Sequence, residues 1–218
     1  MTKNPDMQRR RIWRGRLFKQ LFPALPNVIS LLAAQGEITA AGLEAFKNWS
    51  HGLGQSAADE LREAYRNGYS ARRELLSALE SALSTPVDQE DIYILSERID
   101  HILIEAKNLL REAEVLGWKP DSFAASMADR LASGTNDVVE GLRGLGKSGK
   151  EAGVQADAAS QAIHHLERDY REAMVGLLER DNLREVIASQ DIYRRYLNVS
   201  EAVMSVADRL WYAVLRGA

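Results

Sequence analysis

The 218-residue sequence contains no cysteine and few prolines, and it lacks long apolar runs. The absence of cysteine excludes disulfides, thiolate metal sites and a cysteine nucleophile. Of the five prolines, three precede residue 27 (Pro5, Pro23 and Pro26), so most of the chain is free to form helices. No apolar run approaches the ~18 residues that predict a membrane-spanning helix. The first twenty residues also lack the apolar core of a secretory signal, so we expect a cytoplasmic protein.

Charge is distributed unevenly along the chain. The net charge is −3, but residues 1–20 contain seven basic side chains and a single acid, which gives them +6 and leaves −9 for the rest. An acidic body repels nucleic acid, so we expect no nucleic-acid binding. Residues 1–26 are therefore predicted to form a basic, amphipathic arm. The apolar side chains within residues 12–22 could lie on an anionic bilayer or pack onto the rest of the protein.

Helix signals divide the remainder into six segments. We expect helices over 27–51, 56–83, 88–116, 121–146, 150–179 and from between 182 and 189 to 216, with a weak point at 133–135. Asn27, Asp88 and Asp121 are suited to be N-caps, and Gly117 and Gly217 to end helices. Strand patterns are absent from the sequence. The third segment has the clearest core stripe, in which apolar residues recur at intervals of three and four: Ile92, Leu95, Ile99, Ile102, Ala106, Leu109 and Ala113.

The sequence also indicates an internal duplication. Asp-Ile-Tyr opens the core stripe at residues 91–93 and occurs again at 191–193, and Arg-Glu-Ala occurs at 62–64 and 171–173. We therefore predict an all-α protein, a six-helix antiparallel bundle built from two three-helix repeats, 27–116 and 121–217. The sixth helix is apolar on two faces, which predicts either a central position in the bundle or a partner on its second face.

Several segments resemble the PhoU-like family of phosphate transport regulators. Residues 84–93, Ser-Thr-Pro-Val-Asp-Gln-Glu-Asp-Ile-Tyr, are similar to its signature Thr-Pro-hydrophobic-Asp-x-Glu-Asp-Ile. Weaker similarities follow in the family's order over residues 17–23, 57–62 and 191–208. The resemblance implies a cytosolic, non-enzymatic, duplicated three-helix bundle with acidic clusters that hold metal ions. It also implies a Pit-type inorganic phosphate transporter as partner. The basic, amphipathic character of residues 1–22 is compatible with peripheral contact to the inner membrane, and the chain is compatible with a homo-oligomer.

The paired acids of that family are only partly kept. The first repeat has Glu97 and His101 at the i and i+4 positions, and the second has Leu197 and Glu201. Carboxylates and imidazoles on one helix face can share manganese, iron or zinc, while a solvated polar face is the alternative. The candidate metal ligands are Asp59, Glu97, Asp100, His101, His165, Glu167, Glu201 and Asp208. On helical spacing, we expect those of the third and sixth helices to lie on faces away from the core.

Two alternative functions also suit an all-α bundle. A carboxylate-bridged di-metal enzyme uses Glu-x-x-His pairs, but no histidine here has a glutamate three residues before it. The sequence also has no glycine-rich phosphate loop and no Gly-x-Ser-x-Gly elbow. An oligomeric scaffold without a ligand is the second alternative. The favoured hypothesis is a non-enzymatic regulator or accessory protein of inorganic phosphate transport.

Overall fold

Six helices account for most of the chain in the computed structural model, which describes residues 27–145 and 147–217. They are α1 (Val28–Ser50), α2 (Gln55–Ser81), α3 (Gln89–Leu116), α4 (Ser122–Gly144), α5 (Gly149–Leu177) and α6 (Leu183–Leu215). The described part contains no strand. The all-α prediction is confirmed. The proposed arm over residues 1–26 lies outside the described residues.

Local signals set the helix ends. The side chain of Asn27 accepts a hydrogen bond from the Ser30 amide at 3.3 Å, and Asp88 and Asp121 cap α3 and α4 in the same way. Gly117 ends α3 with a φ of 63°, a conformation that glycine adopts at little cost. The expected weak point at 133–135 is wrong. Helix α4 is continuous there, and the Thr135 hydroxyl donates to the Leu131 carbonyl at 2.8 Å.

Each repeat is a three-helix unit, and the two units meet through two pairs of helices. Helices α1, α2 and α3 contact one another, as do α4, α5 and α6; α1 packs against α4, and α3 packs against α6. Helices α2 and α5 contact only their own repeats. The predicted bundle of two three-helix repeats is confirmed by this arrangement.

The core continues across both repeats. The largest fully buried side chains include Phe46, Tyr193 and Tyr196, and the rings of Phe46 and Tyr196 lie 5.4 Å apart. Close approach of α1 to its neighbours requires a glycine. A Cβ at Gly42 would lie 2.5 Å from a Leu103 methyl group. Apolar burial of this extent is the main stabilising contribution to the fold.

Helix α6 has the central position that its two apolar faces predict. It contacts α3, α4 and α5. Tyr193 is fully buried, and Leu197, Met204 and Trp211 pack against the core while remaining partly exposed. No helix in residues 27–145 and 147–217 is both long enough and apolar enough to cross a bilayer.

Candidate functional site

A polar groove of about 420 Å³ runs between α3 and α6, where the two repeats meet. These helices are antiparallel, since Asp91 near the start of α3 pairs with Arg209 near the end of α6, and Trp118 beyond the end of α3 contacts Ser189 near the start of α6. The apolar stripes of both helices face the core. Their polar side chains therefore lie on the seam, which is the solvent-facing side of the contact between α3 and α6. The groove is lined by His101, Glu105, Asn198, Glu201, Ala202 and Ser205.

Two predicted candidates, His101 and Glu201, come together in this groove from different repeats. His101 Nε2 lies 3.9 Å from Glu105 Oε1, one turn along α3. The His101 side chain is about half exposed, whereas that of Glu105 is 15% exposed. An imidazole and a carboxylate are therefore held side by side beneath a solvent-open cleft.

Arginines cross the seam on either side of the groove. Arg98 of α3 donates to the Ser205 carbonyl of α6. Farther along, Arg195 Nε of α6 lies 2.6 Å from Glu112 Oε2 of α3. These contacts hold the two helices at a set spacing, so that the side chains of the groove keep their relative positions.

The donor set of the groove suits manganese, iron or zinc, which take imidazole and carboxylate ligands. Within the ranges 27–145 and 147–217, however, no three His, Asp or Glu side chains converge as a ready metal site. His101, Glu105 and Glu201 line one cleft, and rotation about their side-chain bonds is needed before they can share an ion.

Glu97 and Asp208 lie outside the lining of the groove. Both are exposed, as expected for polar faces of α3 and α6. They are free to take part in surface binding, but neither reaches the cleft.

The expected position of Asp100 on the solvent face is wrong. Asp100 is 5% exposed, and its Oδ2 accepts a hydrogen bond from Arg72 Nη1 of α2 at 3.1 Å. Helical spacing along α3 correctly separates the core stripe from its opposite face, but it does not show that α2 covers the flank between them. Asp100 therefore joins α2 to α3.

The remaining candidates lie apart from the groove. Asp59, at the start of α2, contacts Arg62 at 2.6 Å, and Arg62 in turn contacts Glu114 at 2.5 Å. Glu114 is 13 residues beyond His101, or about 20 Å along α3 at 1.5 Å per residue. His165 and Glu167 lie on α5, which does not contact α3. Glu167 approaches Arg171 of the same helix at 4.0 Å.

A second polar cluster was not predicted from the sequence. The Tyr193 hydroxyl donates to Asp121 Oδ2 at 2.5 Å, and Arg180 Nη2 donates to the same oxygen at 2.7 Å. Ser189 Oγ, which is buried, accepts a hydrogen bond from Trp118 Nε1 at 3.0 Å. The hydrogen bonds of this cluster attach two loops to α6: the loop between α3 and α4, and the loop between α5 and α6. Only the N-cap role of Asp121 was visible as a sequence signal.

Opposing effects act on the pKa of Asp121. Burial raises the pKa, but the hydrogen bonds from Tyr193 and Arg180 stabilise the carboxylate and hold the pKa below its ordinary value of 3.8. Burial, together with the neighbouring carboxylate, raises the pKa of Tyr193. The tyrosine therefore remains a proton donor to Asp121 at neutral pH.

Comparisons with known proteins identify the fold. No family model and no curated protein matches the sequence significantly. Two crystal structures from Shewanella oneidensis MR-1 are similar. A PhoU-like protein has 16% sequence identity and a TM-score of 0.62, and a protein described as a PhoU-like phosphate regulatory protein has 15% and 0.64. Each alignment covers 87% of this chain and 96% of the other.

These alignments span almost the whole length of both neighbours. The PhoU-like resemblance seen in the sequence is thus confirmed at the level of the fold: the chain folds as PhoU-like proteins do.

Proposed function

We propose that the protein is a non-enzymatic regulator in phosphate homeostasis that acts by binding. The observation that carries this proposal is the fold likeness over 96% of a protein described as a PhoU-like phosphate regulatory protein. Because one fold can serve several functions, the likeness needs a functional test.

The finer form of the proposal links the protein to transport. An inorganic phosphate transporter is the proposed partner, and a cytoplasmic position at the inner membrane is the proposed location. Contact would run through the basic residues 1–22, whose charge suits an anionic surface. The support for this part is the sequence resemblance.

Deletion of the gene in the source organism tests the role in phosphate homeostasis. Uptake of radioactive phosphate and the intracellular phosphate content should both differ between the deletion strain and the wild type, measured in phosphate-limited and in phosphate-replete cells. Reintroduction of the intact gene should restore the wild-type values. A second strain that expresses only residues 27–218 tests the contact through the arm. Unchanged uptake and unchanged phosphate content in the deletion strain would contradict the proposal.

A metal ion is the proposed ligand of the α3–α6 groove. His101, Glu105 and Glu201 would hold it, and manganese, iron and zinc are the candidates, since oxygen donors with one imidazole suit all three. An ion in this position would connect the two repeats through their longest helices. The other predicted ligands lie outside this cleft.

Thermal unfolding with and without added metal tests the proposed ligand set. Added manganese, iron or zinc should raise the Tm of the wild type, because a ligand that binds only the folded state stabilises it. Glu105→Gln and Glu201→Gln should reduce that increase, while Asp59→Asn, an acid away from the groove, should leave it unchanged. Equal increases in all four proteins would contradict the assignment.

A further inference from the structure

An apolar patch lies where α3 ends and α6 begins. Val115, Leu116, Leu183 and Ile187 are 80%, 48%, 69% and 55% exposed. They line a single groove of about 680 Å³ together with Ala188 and two charged residues, Arg184 and Asp191. Single exposed apolar residues are ordinary, but four large ones around one groove indicate an interaction site. These seven residues are called the terminal patch below.

The terminal patch exists because α6 extends farther than its counterpart in the first repeat. Helix α6 begins eight residues before Asp191, whereas α3 begins two residues before Asp91. The added turns are held by their inner face, where Val186 packs against the core and Ser189 is buried. The outer face, with Leu183 and Ile187, is not needed for that attachment.

Opposite charges flank the apolar centre of this patch. Arg184 and Asp191 are seven residues apart, about two helical turns, so they lie on the same face of α6. Neither takes part in an ion pair within residues 27–145 and 147–217, although their neighbours Arg180 and Arg195 do. The midpoint between the two charges falls at Ile187 and Ala188.

We propose that the terminal patch binds the terminal patch of a second copy of this chain. The two α6 helices would run antiparallel across a two-fold axis near Ile187 and Ala188. Arg184 of each copy would then face Asp191 of the other, because an isologous interface pairs each contact with its symmetric equivalent. The patch is complementary to itself in this orientation, which is why a second copy is the chosen occupant.

The charges on either side of this pair, Arg180 in the connection before α6 and Arg195 on α6, are compatible with the pairing. Arg180 and Arg195 would approach each other across the axis, yet each already has a carboxylate partner in its own chain. Arg180 contacts Asp121 at 2.7 Å and Glu185 at 3.2 Å, and Arg195 contacts Glu112 at 2.6 Å. Their repulsion is therefore reduced.

The size of the patch sets the strength of the expected dimer. A stable interface buries about 800 Å² on each partner. The four partly exposed apolar side chains of the patch supply less than this area. The flanking polar residues must complete the contact area. The dimer should therefore be weak, dependent on protein concentration and destabilised by salt, since exposed charge pairs are screened.

Sedimentation of the full chain over a range of concentrations tests the proposal, which does not depend on the proposed function. Arg184→Asp and Asp191→Arg should each raise the dissociation constant about tenfold or more, because the symmetry places two like-charge contacts in every dimer. The double variant, Arg184→Asp with Asp191→Arg, should restore wild-type affinity. Arg168→Asp, at an exposed position on α5, is the matched control and should change nothing.

Several outcomes would overturn the inference. A monomer at every concentration would do so, and so would charge variants that dimerise like the wild type. Failure of the double variant to restore affinity would overturn the antiparallel pairing. Loss of the dimer on deletion of residues 1–26, with no effect of the charge variants, would show that the dimer forms through the arm and not through the terminal patch. Circular dichroism of each variant establishes that it is folded.

Discussion

The tripeptide Asp-Ile-Tyr occurs once in each repeat, and the fold uses the two copies differently. In the first repeat, Asp91 is 1% exposed and Tyr93 is 45% exposed. In the second repeat the pattern is reversed, with Asp191 exposed and Tyr193 fully buried. The central isoleucine is buried in both. The isoleucine therefore has the same buried position in both repeats, whereas the aspartate is buried only in the first and the tyrosine only in the second.

Helix register and long-range partners explain the reversal. Asp91 lies in the first turn of α3, close to Arg209 from the far end of α6. The equivalent tripeptide of α6 lies about two turns inside its helix, where Tyr193 meets Asp121 and Trp118. A short repeated motif thus predicts a shared backbone conformation, but it does not predict which of its polar groups is buried.

The largest expected effect is on the buried aspartate. Arg209 Nη2 lies 2.5 Å from Asp91 Oδ1, and the contact is ionic, without hydrogen-bond alignment. Asp91→Ala leaves Arg209, whose side chain is only 14% exposed, without its carboxylate partner, so the free energy of unfolding should fall by about 3–5 kcal/mol. Asp191→Ala, measured at concentrations below dimer formation, should change it by less than about 0.5 kcal/mol. Urea unfolding followed by circular dichroism measures both, and equal losses would contradict the contrast.

A smaller difference is expected between the two tyrosines. Tyr193→Phe removes a donor to Asp121 and should cost about 2 kcal/mol, whereas the exposed Tyr93→Phe should cost almost nothing. Because the folded-state pKa of Asp121 is lowered, the stability that it contributes is present above its ordinary value of 3.8 and is lost as pH falls through the folded-state pKa.

Unfolding at several pH values therefore provides a second check on Tyr193→Phe. The difference in the free energy of unfolding between wild type and this variant should be largest at pH 7. It should become smaller as the pH falls below 3.8, the ordinary pKa of an aspartate. A gap that stays constant into strong acid would show that the lost stability comes from packing and not from the charged hydrogen bond.

The smallest effects should be equal in the two repeats. Asp88 caps α3 by accepting from the Glu90 amide at 2.9 Å, and Asn182 caps α6 by accepting from Arg184 and Glu185 amides at 3.2 and 3.4 Å. Asp88→Ala and Asn182→Ala should each cost about 1 kcal/mol. Thermal or urea unfolding of the pair is the measurement. A large difference would show that the caps, too, depend on distant neighbours.

The candidate site was partly visible in the sequence. The sequence predicts His101 and Glu201 as ligands, and the structure brings both to the α3–α6 groove. Glu105 could have been added, since it lies one helical turn from His101. No sequence pattern predicts that Asn198 and Ser205 line the groove, because their position depends on the register of α6 relative to α3. The ligand assignment itself stays a prediction.

The sequence by itself determined the six helices, the N-caps Asn27, Asp88 and Asp121, and the apolar stripes that bury the helices. These features depend on residues within three or four positions of one another, so a local pattern is sufficient. Only the tertiary structure decided that Asp100 and Asp91 are buried, that Tyr193 reaches Asp121, and that Leu183 and Ile187 remain exposed. Burial and pairing of polar groups depend on which distant helix covers each flank, and the register between helices is a property of the packed bundle as a whole.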